Sequence, residues 1–156
     1  FYLMYRKKHA PAYARRLASI LDYRWTKAMA LLTQRQPYFR WFDSGDIQSM
    51  SHLTKIIAVA MLTPKVKHWL PTKELGIVTR YKKLGGFVPD NLIIRLSAPM
   101  KDGKLPDRVG HSSMVITSPV SSDTAYTCPA STQGGRCLDC RMCWSADNLR
   151  TAYPAH

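Results

Sequence analysis

The chain has 156 residues, 46% of them apolar and 21% charged, which suits one domain with a sizeable core. Its longest apolar run, Ile56 to Leu62, is far too short to cross a membrane, so no membrane span is expected. The net charge of +13 points to a polyanionic partner such as nucleic acid, or to an anionic substrate; a basic solvated surface is the plainer alternative.

Phe1-Tyr2-Leu3-Met4-Tyr5-Arg6-Lys7-Lys8 carries its charge after its apolar residues. A secretory signal has the reverse order, so a cytoplasmic protein is expected. Residues 10–21 predict a helix with Tyr13, Leu17, Ile20 and Leu21 on one face. Asp22 is placed to cap a second helix over 23–33 that buries Trp25, Met29 and Leu32, and Pro37 ends this helical region.

Strands then alternate with helices over 37–118. Tyr38-Phe39-Arg40-Trp41-Phe42 is aromatic and β-prone, and it stops at Asp43-Ser44-Gly45-Asp46. Residues 49–62 predict a helix with Leu53, Ile56, Ile57, Ala60 and Met61 as its stripe, Asp46 or Ser49 as its cap, and Pro64 as its stop. Residues 66–70 predict a second strand, and Thr72 is placed to cap a helix over 73–84 that Gly85-Gly86 ends. Residues 91–96 and 113–117 predict two more strands, with a Pro- and Gly-rich loop between them.

This alternation implies βαβ units and a parallel sheet: a single α/β domain, either a partial parallel (β/α) barrel or a small open parallel sheet. A whole barrel needs about 250 residues. Exposed parallel edges call for cover, from the N-terminal helices, a second copy or a protein partner. Right-handed crossovers place the strand C-termini together, where α/β folds bind ligands. Asp43, Asp46, Lys73 and Arg95 are therefore the candidate catalytic groups, with Ser44, Gly45, Thr72 and Ser97 as candidate cofactor contacts. The plainer reading is that loops are polar and that the two aspartates belong to a turn. His52 and His68 read as packed or surface residues rather than catalytic ones.

Residues 119–156 show little periodicity, and order there is expected from a metal. The protein's four cysteines, Cys128, Cys137, Cys140 and Cys143, all lie in this tail with the spacing C-x8-C-x2-C-x2-C. Without a secretory signal, a shared metal is favoured over disulfides. Structural zinc usually combines two separated ligand pairs. Three cysteines interleaved at x2 spacing suit an iron–sulfur cubane, with Cys128 as the fourth ligand. A 4Fe–4S cluster is the expected cofactor, with zinc and then redox thiols as alternatives. Gly134 and Gly135 are placed to bring backbone N–H groups to the sulfurs, Arg136 and Arg141 to offset their charge, and Trp144 to exclude water.

Phe39-Arg40-Trp41-Phe42-Asp43-Ser44-Gly45-Asp46, His68-Trp69-Leu70-Pro71-Thr72-Lys73, Leu92-Ile93-Ile94-Arg95-Leu96-Ser97 and the tail ending Cys143-Trp144 resemble a family of bacteriophage and plasmid proteins named after a phage gene product eighty-eight. That family is distantly similar to radical S-adenosylmethionine enzymes, which are partial or full barrels with a 4Fe–4S cluster. The resemblance implies a phage- or plasmid-encoded protein in a bacterial host. The family's further Cys-rich motif, which lies upstream and ends near a Cys-Tyr-Ala, has no counterpart in these residues. Radical chemistry needs an iron with an open position, whereas four cysteines saturate a cubane. A structural or electron-transfer cluster is therefore expected, with S-adenosylmethionine as a further cofactor only where an iron stays open. The other readings are a basic nucleic-acid-binding protein with a structural metal, and a partner-binding protein on an inactive barrel.

Overall fold

The computed structural model describes residues 2–42, 45–106 and 110–155. Four α-helices are found there: α1 (Tyr2–Leu21), α2 (Trp25–Thr33), α3 (Met50–Leu62) and α4 (Leu75–Lys83). Six strands, β1 (Tyr38–Arg40), β2 (Lys67–Thr72), β3 (Leu92–Ser97), β4 (Ser112–Ile116), β5 (Tyr126–Thr127) and β6 (Arg150–Pro154), form one open, curled, all-parallel sheet in the order β1-β2-β3-β4-β6-β5. No described helix is long and apolar enough to cross a membrane.

Alternation along the strands decides which side chains enter the core. Leu70, Leu92, Ile94 and Leu96 face the helices and bury with Leu53, Ile56, Val59, Ala60 and Val78. Each such large aliphatic side chain contributes about 1.5–3 kcal/mol through burial. Phe39 and Trp41 turn to the same side and meet His68. The helices therefore cover the convex face. The edge strands have three and two residues, a length that limits pairing with another chain.

Several local expectations change. The Ser49 hydroxyl accepts from His52 N–H at 3.1 Å and caps α3, so Asp46 does not. Thr72 belongs to β2; its hydroxyl accepts from Glu74 N–H, and Glu74 takes the cap position of α4 without a side-chain bond. Asp22 binds Arg24 instead of capping the first turn of α2. Leu32 and Met61 are exposed, because the helices turn Ala30, Thr33, Ile57 and Ala60 inward instead. The region 119–156 holds β5, β6 and two 3₁₀ turns, Pro129–Thr132 and Met142–Trp144.

His68 is fully buried, with Nε2 at 2.8 Å from the Thr63 hydroxyl and Nδ1 without a partner. Burial pushes its pKa down to about 4. The unfolded chain takes up this proton near pH 6.5, and the folded one only near 4. Stability is thus complete above pH 6.5 and is lost as the pH falls through this window, by on the order of 2 kcal/mol. Urea midpoints measured between pH 7 and pH 4 check this: the loss is expected to shrink in His68→Gln, and an equal loss in that variant would assign it to other groups.

Candidate metal centre

The last crossover, from β5 to β6, carries all four cysteines. Strand order reverses here, since β5 lies beyond β6. A right-handed crossover running backwards must pass over the opposite face from α3 and α4. The tail accordingly lies on the concave face. The Trp144 indole packs edge-on against Trp69 and Tyr38, and its N–H donates to the Phe39 carbonyl at 3.1 Å.

Arg95 is the second anchor. It is 0% exposed, and its guanidinium donates to the carbonyls of Ser112 (3.1 Å), Asn148 (2.9 Å), Leu149 (3.4 Å) and Met142 (3.5 Å). β4, the residues leading into β6 and the 3₁₀ turn are thereby tied to β3. Among the described residues no carboxylate pairs with this buried cation. Burial lowers its pKa, while Tyr153 and Cys143 act in the opposite sense.

Cys128, Cys137 and Cys143 line one cavity of about 580 Å³ on the concave side. Cys143 is buried, with its sulfur 3.3 Å from the Tyr153 hydroxyl. Cys140 sits 3.4 Å from the Tyr126 hydroxyl, and its N–H donates to the Cys137 carbonyl at 2.9 Å. All four cysteines are free thiols. Among the described residues, no three His, Cys, Asp or Glu side chains already meet at metal-ligand spacing, so the thiols border the cavity without converging.

The donor set nevertheless fits a thiophilic metal. Burial pushes the Cys143 thiol up to about 11 despite the hydrogen bond from Tyr153, and burial also raises Cys128. A thiol raised in this way is a poor nucleophile, so Cys143 is ill suited to serve as the attacking thiol of a redox pair. A metal held there would displace those protons, and Arg95 would then gain a negative neighbour at Cys143.

Gly134 and Gly135 adopt φ of 61° and 76°. A Cβ at either would meet nothing within 4 Å, so the left-handed turn, not close approach, requires glycine. The Gly135 N–H is committed to the Ala130 carbonyl at 2.8 Å. Arg141 stacks over Tyr38 and donates to the Cys140 and Leu138 carbonyls.

The other candidate residues separate into two groups. Asp46 accepts from the Thr72 hydroxyl, from Lys73 N–H at 2.7 Å and from Ile47 N–H at 2.7 Å. It clasps the loop after β1 to the end of β2. Lys73 reaches the Pro99 carbonyl at 3.3 Å. Gly45 has φ 93° and sits beside Tyr13. Asp43 and Ser44 lie outside the described residues. Ser97 alone of this set lines the cavity. Arg95, expected beside a strand end, lies two residues inside β3 and beneath the tail.

Arg40, Trp69, Lys101 and Tyr153 also line the cavity and escaped sequence reasoning. The available signal was parity. Register pairs Arg40 with Trp69 across β1 and β2, and Val115 with Tyr153 across β4 and β6, so each pair shares a face.

The family model described as Gene product 88 matches residues 3–146. No curated protein and no solved structure matches the chain.

Proposed function

Because the chain belongs to the gene product 88 family, we propose from its site that it is an iron–sulfur protein with one cluster on Cys128, Cys137, Cys140 and Cys143. The observation that carries this reading is three thiols on one cavity, of Cys143 (buried), Cys128 (half-buried) and Cys137 (exposed), the first of them within electrostatic reach of Arg95, the only fully buried cation among the described residues. An arginine so desolvated gains most from a neighbouring negative charge, and metal-bound thiolates supply one. A bound cluster would contribute structural cross-linking of the tail or one-electron transfer. The chain's own residues hold it there: Trp144 and Arg95 fix the tail, while the Tyr126 and Tyr153 hydroxyls stand within hydrogen-bond reach of two sulfurs.

Descent from radical S-adenosylmethionine barrels belongs to the same reading. Its support is the parallel half-barrel and a cavity bordered by the ends of β1, β3 and β6. Four thiolates on one cluster leave no open iron, so a carrier or scaffold role is favoured over radical chemistry.

Anaerobic purification with iron and sulfide assays tests the proposal. About four irons and four sulfides per chain are expected, with visible charge-transfer absorption. A colourless protein holding one zinc would replace the cluster with a structural site. A chain that takes up neither metal would end the reading.

A further inference from the structure

The 580 Å³ cavity lies well inside the range of small-molecule sites, roughly 300–1,000 Å³. One metal centre does not account for its lining. Away from the thiols it is walled by Trp69, Pro71 and Val115, and its charged side chains are Arg40 and Lys101. No Asp or Glu among the described residues lines it. Two cations, hydroxyls from Ser97 and Ser131, and an apolar wall are the recognition chemistry of an organic anion.

Neither cation forms an ion pair among the described residues. The Arg40 guanidinium lies over the Trp69 ring at 4.8 Å, a stack that fixes its plane and leaves its N–H edge to donate. Lys101 precedes Asp102, whose N–H donates to the Val115 carbonyl at 2.7 Å. The Asp102 carboxylate accepts from Thr117 N–H at 2.8 Å and from the Thr117 hydroxyl at 2.7 Å. That clasp ties the backbone beside Lys101 to the end of β4 and commits the Asp102 carboxylate to Thr117, although it still feels the Lys101 charge.

We propose that this cavity binds a small organic anion, a phosphate monoester or carboxylate, between Arg40 and Lys101 and beside the cysteines. The proposal deepens the metal-centre reading, on which its place beside a cluster rests. The competing explanation is that both cations only balance a thiolate-ligated cluster.

Calorimetric titration of the anaerobically metal-loaded full chain with phenyl phosphate, benzoate and benzyl alcohol separates these. Both or one of the anions should bind, and the alcohol should not; the two anion arms tell phosphate from carboxylate recognition. Arg40→Gln and Lys101→Gln should each weaken binding at least tenfold while iron and sulfide content stay unchanged. Val115→Phe fills the cavity without touching either cation and should weaken it similarly. A fully metal-loaded chain that binds neither anion would overturn the proposal, as would binding unchanged in the double variant. Loss of metal in that variant, with no anion bound by the parent chain, would assign the cations to the cluster. If the parent takes up no metal yet binds an anion through Arg40 and Lys101, the anion site stands and the cluster reading falls.

Discussion

Cys143→Ser is expected to lower iron and sulfide from one cluster per chain to less than a tenth of that. Serine keeps nearly the same volume and the hydrogen-bond partner at Tyr153, which lies 3.3 Å from the sulfur. What it lacks is an ionisable, polarisable sulfur, the ligand type iron and zinc prefer. The variant therefore separates metal binding from packing. Without metal, the parent and Cys143→Ser should differ in urea stability by only about 1 kcal/mol, the worth of one altered hydrogen bond. With metal supplied, the parent alone should gain, by several kcal/mol, because a ligand that binds only the folded tail stabilises it by mass action. Metal content that stays unchanged in Cys143→Ser would remove this residue from the ligand set.

The second large effect is expected at Arg95. Its guanidinium satisfies four carbonyls from the tail and β4 while fully buried. Arg95→Met keeps an apolar stem but takes the guanidinium from all four carbonyls. That of Asn148 is left without a donor in a dry interior, while those of Met142 and Leu149 keep the Asn148 amide and the Ser112 N–H. Each unsatisfied buried acceptor costs roughly 1–3 kcal/mol, with relaxation reducing the sum. A loss of about 3 kcal/mol or more is expected, or close to 10 °C in melting temperature for a domain of this size. Arg95→Lys should not restore it, since a lysine has three donors in place of a planar fork of five. Limited proteolysis should then cut first between Cys128 and Asn148, where the tail loses its tie to β3. An Arg95→Met protein as stable as the parent would return Arg95 to the role of a strand-end binding group.

Arg95 also illustrates how far the sequence could be read. Its place in a strand was evident from Leu92-Ile93-Ile94 before it and Leu96 after it, and β3 is Leu92–Ser97. Its function was not. An arginine near a strand end reads as an anion binder, and only the folded tail reveals the four carbonyls it serves. Asp46 behaves alike: its spacing suited a cap or an acid, whereas contacts 26 and 27 residues away make it a clasp for Thr72 and Lys73. Neither partner set follows from local pattern.

The strand–helix alternation from β1 to β4 was legible because each segment has its own period and a clear stop, such as Pro64 or Gly85. β5 and β6 were not. Two residues, Tyr126–Thr127, have no measurable period, and Arg150–Pro154 ends on a residue that usually argues against a strand. These strands exist because Ile116, Ala125 and Ala152 bury together on the convex side.

By itself, then, the sequence determined the parallel α/β architecture and the grouping of four cysteines in one segment, since hydrophobic period and residue spacing are local properties. Only the tertiary structure decided where that segment goes. The reversal of strand order sends the β5–β6 crossover over the concave face, and long-range contacts of Arg95 and Trp144 hold it there. Strand parity then brings Arg40, Trp69 and Tyr153 to the thiols, a meeting of side chains distant in the chain that depends on register across the whole sheet.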